Sequence, residues 1–147
     1  MGQYIINLNW KKESAEFTYE KLNRNHVLHF SGNQTLKNSA APEYFGNPDM
    51  TNPEELLASA TASCHMLTFL AVAAKMGFVV ESYDCKAEAL MGKNAEGRFS
   101  VTEINLTPKI VFSGDKTPTQ EQLKGLHEKA HRNCFIAQSL QSKVNVL

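Results

Sequence analysis

The run LHEKAHRNCF, residues 126–135, holds two chemistries side by side. His127-Glu128-Lys129-Ala130-His131 matches H-E-x-x-H, which on a helix sets two imidazoles on one face for zinc, with a glutamate as general base. Cys134 follows directly and joins Cys64 and Cys85 as the chain's 3 cysteines. Zinc proteolysis needs a third ligand, and the other histidines are His26, His29 and His65. The motif falls on a short, Glu/Lys-rich helix. The expectation is therefore a solvated face with one imidazole turned toward the cysteines, not a protease centre. A structural or regulatory metal site stays open as an alternative, because Cys64, His65, His127, His131 and Cys134 are all competent ligands.

Cys64 sits in SATASCHMLTFL, an apolar helical run. As a small hydrophobe it would fill a core position much as Ala does. As a nucleophile it needs its thiolate, so its pKa must fall from about 8.5 toward neutrality. Burial works against that, and the pull of the helix dipole fades within the first turn. A cation is then expected to reach the sulfur. Among Arg24, Arg98 and Arg132, Arg24 is the best placed, beside His26 and between strand-like runs. Cys85, in SYDCKAE, is expected on the inner face of a strand with Tyr83 and Ala87, in a core role. His26 and His29 are three apart on a strand, face opposite sides and cannot act as one pair.

These groups must be positioned by the surrounding elements. Residues 1–37 read as strands: YIINLNW and NHVLHFSG alternate, EFTYEKL is rich in β-prone residues, and Asn23-Arg24-Asn25 reads as a hairpin connection. Residues 38–52 contain Pro42, Gly46 and Pro48 and read as an ordered loop in which Tyr44 and Phe45 supply burial. A long helix is expected from Pro53 to Met76. Asn52 can cap it, Glu55 closes an N-x-x-E capping box, Glu54 and Glu55 suit the positive end of the dipole, and Gly77 ends it. Two long strands, FVVESYDCKAEALM and FSVTEINLTPKIVFSG, flank the turn GKNAEG, and Pro108 implies an edge or a bulge. A second helix is expected near 119–132, then a further helical turn in CFIAQSL and a short strand in KVNVL.

Composition narrows the classes. A chain of 147 residues with 42% hydrophobic and 20% charged residues suits one globular domain. Formal net charge is zero, which gives no reason to propose nucleic acid or an anionic membrane as partner. Leu56 to Ala74 carries no charge but is interrupted by Ser59, Thr61, Ser63, His65 and Thr68, so a buried helix is expected rather than a membrane span. The odd cysteine count without a secretion signal points to a reducing compartment, the cytoplasm. The apolar residues of the long helix cover nearly its whole circumference, so it needs enclosure on all sides, which argues for a homodimer.

The sequence resembles the OsmC/Ohr family of thiol-dependent peroxidases. The resemblance runs from NRNHVLHFSG onward and is densest in NPEELLASATASCHMLTFLAVAAKMGF and AHRNCFIAQSL. It rests on P-E-x-L, a cysteine ten residues after the glutamate on an apolar helix, and a distant second cysteine. The resemblance implies an α+β fold: antiparallel sheets packed around long central helices in an intertwined homodimer. It implies cysteine-based reduction of organic hydroperoxides or hydrogen peroxide without a bound cofactor. Cys64 would be the peroxidatic cysteine, Cys134 the resolving one, and an external dithiol or lipoyl-type reductant would regenerate them. Glu54 falls at the family's glutamate and Arg24 stands for its arginine. Along a straight helix Glu54 lies about 15 Å from Cys64, so it is expected to act by orienting Arg24. Where the Ohr branch has Cys-Pro-Tyr-Ser, this chain has Cys134-Phe135-Ile136-Ala137. A non-enzymatic redox sensor, or a protein binding a hydrophobic ligand or metal through the same cysteines, is the alternative reading.

Overall fold

A computed structural model describes all residues, Met1–Leu147. The chain separates into two compact units, Met1–Leu56 and Leu57–Leu147. The first holds a three-stranded antiparallel sheet in the order β1 (Asn7–Trp10), β2 (His26–His29), β3 (Thr35–Asn38). Gly32 and Asn33 both have positive φ and turn β2 into β3. Contrary to the sequence expectation, EFTYEKL is not a strand but part of the long connection from β1 to β2. The connection is held by its own contacts: Trp10 Nε1 donates to the Asn23 carbonyl at 2.8 Å. Asn23-Arg24-Asn25 therefore leads into β2 and is not a hairpin turn.

Residues 38–52 form the expected ordered loop, but with a different interior. Asn38, Ser39 and Ala41 are buried, while Tyr44 and Phe45 remain exposed. A short 3₁₀ turn, Pro42–Tyr44, ends at Phe45 with φ 60°. Gly46 is required here: a Cβ would lie 1.6 Å from the Ala40 carbonyl oxygen.

Helix α1, Pro53–Lys75, begins as its sequence dictates. The Glu55 amide donates to Asn52 Oδ1 at 2.9 Å, and the Asn52 amide donates to Glu55 Oε2 at 3.2 Å. This reciprocal box satisfies two otherwise orphaned donors and stabilises the helix by about 1 kcal/mol. At the other end Gly77 has φ +78°, and Lys116 Nζ donates to the Met76 carbonyl at 2.6 Å. By length and composition α1 could cross a bilayer. Within the chain only one stripe is buried, Ala58, Thr61, His65, Phe69 and Ala73, and Leu67 is 60% exposed. The stripe recurs every three or four residues, as one helix face must.

The second unit carries the sheet β4 (Val79–Lys93), β5 (Phe99–Ser113), β6 (Lys143–Val146), with β4–β5 antiparallel and β5–β6 parallel. Its bulges lie at Val80/Ser82 and Leu90/Met91, not at Pro108. Pro108 instead falls beyond the Glu103–Leu106 stretch that β6 pairs, where its missing N–H leaves no ladder bond unmade on that side. Helices α2 (Gln120–Asn133) and α3 (Phe135–Ser139) connect β5 to β6. Thr119 caps α2 through a reciprocal box with Gln122. Phe69, Ala73, Phe78, Leu126 and Ala130 form the core of this unit.

Candidate redox site

α2 and α3 are separated by one residue. Cys134, with φ −76° and ψ 107°, leaves helical geometry, ends α2 and caps α3. A new helix start exposes amide N–H groups without partners, and here sulfur takes them. The Cys134 Sγ accepts from the Ala137 amide at 3.5 Å. The Phe135 and Ile136 amides are turned to the sulfur of Cys64 on α1.

Cys64 thus receives the two backbone amides, the Cys134 thiol and the Thr68 hydroxyl. Burial alone would push its thiol up, but these donors, with the Ile136 amide foremost, hold it below the ordinary cysteine value. Thr68 Oγ1 also lies 2.8 Å from the Cys64 carbonyl, and its one proton serves either acceptor in turn. Cys134 is fully buried. Burial first, then its hydrogen bond to Cys64 and the charge there, push its thiol up to about 11. The pair is therefore asymmetric: Cys64 is the more acidic thiol, and Cys134 keeps its proton and donates to it. The sequence argument required a cation for this activation. Within this unit, backbone amides and side-chain donors contribute to it.

Arg24 and Glu54 belong to the first unit. The Arg24 guanidinium donates to the Tyr19 and Leu22 carbonyls and lies over the Tyr19 and Phe45 rings at 5.3 and 5.5 Å. Glu54 Oε2 is shielded from water without a hydrogen-bond partner. The chain's ion pairs are Lys21–Glu16, Lys86–Glu88 and Arg98–Glu96, so none joins Arg24 to Glu54. Cys85 lies half-buried on the same face of β4 as Tyr83 and Ala87, with its thiol pushed up by burial.

The histidines depart most from expectation. His127 is not on a solvated face. Its ring stacks on His65 with centroids 5.4 Å apart and planes 9° apart, and its Nδ1 is 3.1 Å from His65 Nε2. Phe69 closes the cluster at 4.6 Å from His127. His65 is 1% exposed, and its Nδ1, like that of His131, has no partner. Burial, then the charges of His127 and His131, lower His65 to about 4, and burial lowers His127. No three histidine, cysteine, aspartate or glutamate side chains gather into a metal-holding group. The signal was present in the sequence: His65 falls in the Thr61–Phe69–Ala73 stripe of α1, and His127 is next to Leu126 on α2.

Comparison with known proteins bears on the family and the fold. The family model described as OsmC-like protein matches residues 46–147. An uncharacterized protein, YmaD, of Bacillus subtilis is 29% identical over 117 residues, 79% of this chain and 77% of that protein. Peroxiredoxin OsmC of Escherichia coli is 29% identical over 96 residues, 65% of this chain and 64% of its own length. A solved OsmC-like protein of unknown function from Vibrio cholerae superposes with a TM-score of 0.94 at 39% identity, covering 100% of this chain and 99% of that one. With an α+β fold of two sheets and three helices, the chain belongs to the OsmC-like protein family.

Proposed function

We propose that this protein is a thiol-dependent peroxidase that reduces organic hydroperoxides or hydrogen peroxide. The observation that carries the reading is the asymmetric pair: Cys64, lowered by four donors, in hydrogen-bond contact with the buried, proton-bearing Cys134. The family's inclusion of peroxiredoxin OsmC supports it. The Cys64 thiolate attacks the terminal peroxide oxygen, the O–O bond breaks, and the departing alkoxide takes a proton to leave as alcohol. Cys64 is left as a sulfenic acid. The Cys134 thiol then condenses with it, forming the disulfide and releasing water. An external dithiol, small or lipoyl-type, reduces the disulfide by exchange and is itself oxidised. In this reading Arg24 polarises the peroxide and Glu54 orients Arg24.

The same reading takes the working form to be a cytoplasmic homodimer. Its support is α1, whose apolar surface is buried along one stripe only, leaving side chains such as Leu67 uncovered.

Turnover of cumene hydroperoxide with a dithiol tests the proposal. Cys64→Ser abolishes turnover, and Cys134→Ser leaves a sulfenic acid that a dimedone-type probe traps. No turnover with several peroxides and with both lipoyl and small-thiol donors would leave a redox sensor as the better reading. Arg24→Ala with unchanged rate and unchanged Cys64 pKa removes Arg24 from the mechanism.

A further inference from the structure

The cysteines are not alone in joining α1 to α2 at this point. His65 follows Cys64 on α1, and His127 lies on α2 about two turns before Cys134, which ends that helix. His65 Nε2 and His127 Nδ1 are 3.1 Å apart, with the ring planes within 9° of parallel. Both residues belong to the second unit, and His65 is buried by the chain itself, so the contact is interior. The end of α2 is thus tied to one place on α1 at two points, about 10 Å apart along its own axis.

The bond has a direction. His65 Nδ1 is shielded from water without a partner, so a proton there would be a buried donor with no acceptor. The neutral ring is therefore assigned its proton on Nε2, and His65 Nε2–H donates to His127 Nδ1. Two apolar side chains would fill the same space without the cost of burying two imidazoles. They would lack a fixed length and direction, since apolar surfaces slide where a hydrogen bond holds its atoms near about 3 Å. Disulfide closure needs such a hold, because the two Cβ atoms must sit about 3.5–4.5 Å apart. A tilt of about 10° over about 10 Å of helix would carry Cys134 away by about 2 Å.

We propose that the His65–His127 hydrogen bond is a positioning contact for disulfide closure, holding α2 so that the Cys134 sulfur meets that of Cys64. Phe69, with its ring 4.6 Å from that of His127, braces the pair from α1. The histidines act through the helices that carry them and transfer no electrons. In closure the Cys134 thiol gives up its proton, its sulfur attacks the Cys64 sulfur, and the group on Cys64 leaves with the electron pair of its bond. From a sulfenic acid that group is hydroxide, which takes a proton and departs as water. The inference rests on the peroxidase reading for the oxidant alone, because the same closure follows any mixed disulfide on Cys64.

The test uses dithiobis(nitrobenzoate) on the full chain in a Cys85→Ala background, where Cys64 and Cys134 are the remaining thiols. Cys64 attacks the reagent's disulfide and releases a first coloured thionitrobenzoate; Cys134 then attacks the Cys64 sulfur and releases a second. His127→Phe should leave the first release within about threefold and slow the second about tenfold, the scale of one buried hydrogen bond. His127→Asn, whose amide oxygen stands where Nδ1 stood, should restore the second release to within about threefold. His65→Leu combined with His127→Phe strands no buried donor, so it folds, and it should close as slowly as His127→Phe. After an equimolar addition of cumene hydroperoxide the same defect should appear as a longer-lived sulfenic acid. If no sulfenic acid forms in any variant, the peroxidase reading falls, and the thionitrobenzoate result still decides this proposal. An unchanged second release in His127→Phe and the double variant, equal slowing of both releases, or no rescue by His127→Asn would each overturn it.

Discussion

His65 gives the sharpest test of the physical reasoning, because its imidazole is buried among groups that all disfavour a proton. It is 1% exposed, stacked on His127, and held neutral down to about 4 against an ordinary value of 6.5. In the unfolded chain the same ring titrates near 6.5. Between the two values the unfolded state binds a proton that the folded state refuses. Stability must therefore fall as pH drops below 6.5 and level off below about 4. At about 1.4 kcal/mol per pH unit, the full loss from this one ring is about 3 kcal/mol. Carboxylates also titrate in this range, so a matched variant is needed to isolate the term. His65→Gln keeps an amide to bond His127 Nδ1 and removes the titration. Urea denaturation at fixed protein concentration, at about pH 7 and about pH 4.5, measures both proteins. The unsubstituted chain should lose about 2–3 kcal/mol more than His65→Gln between these two points. His127, also lowered by burial, adds in the same direction and remains in the variant. Equal losses in the two proteins would refute the account of a buried, neutral His65.

Other substitutions read other parts of the structure. Alkylation by iodoacetamide near neutral pH should label Cys64 well before Cys134, whose thiol stays protonated to about 11. Thr68→Val should raise the Cys64 pKa, visible in its thiolate ultraviolet absorbance, and slow that alkylation severalfold. Asn52→Ala breaks the α1 capping box and should cost about 1 kcal/mol by chemical denaturation. Phe69→Ala empties the centre of the second unit's core, where Phe69 is fully buried, and should cost about 3–5 kcal/mol.

Some of this architecture is written in short-range chemistry. The start of α1 follows from Asn52, Pro53 and Glu55, its end from Gly77, and the start of α2 from Thr119 and Gln122. Each of these contacts spans a few residues, so sequence spacing alone determines it. The long β4–β5 hairpin was legible for the same reason, since a short turn sets its pairing. Residues 11–25 were not. Their β-prone composition suggested a strand, yet Trp10 and Arg24 bind loop carbonyls that no periodicity announces.

The site divides along the same line. The sequence by itself determined which residue types were available: two cysteines, a histidine after the first, and two more histidines before the second. Only the tertiary structure decided how they work. It brings the α3 amides and the Cys134 thiol to Cys64, so that their hydrogen bonds lower the thiol. It also turns His127 inward onto His65, where composition alone had placed it in solvent. The physical reason is common to both. A pKa depends on which donors and which desolvating atoms lie within a few ångströms. For Cys64 and His65 most of those atoms come from segments far away along the chain.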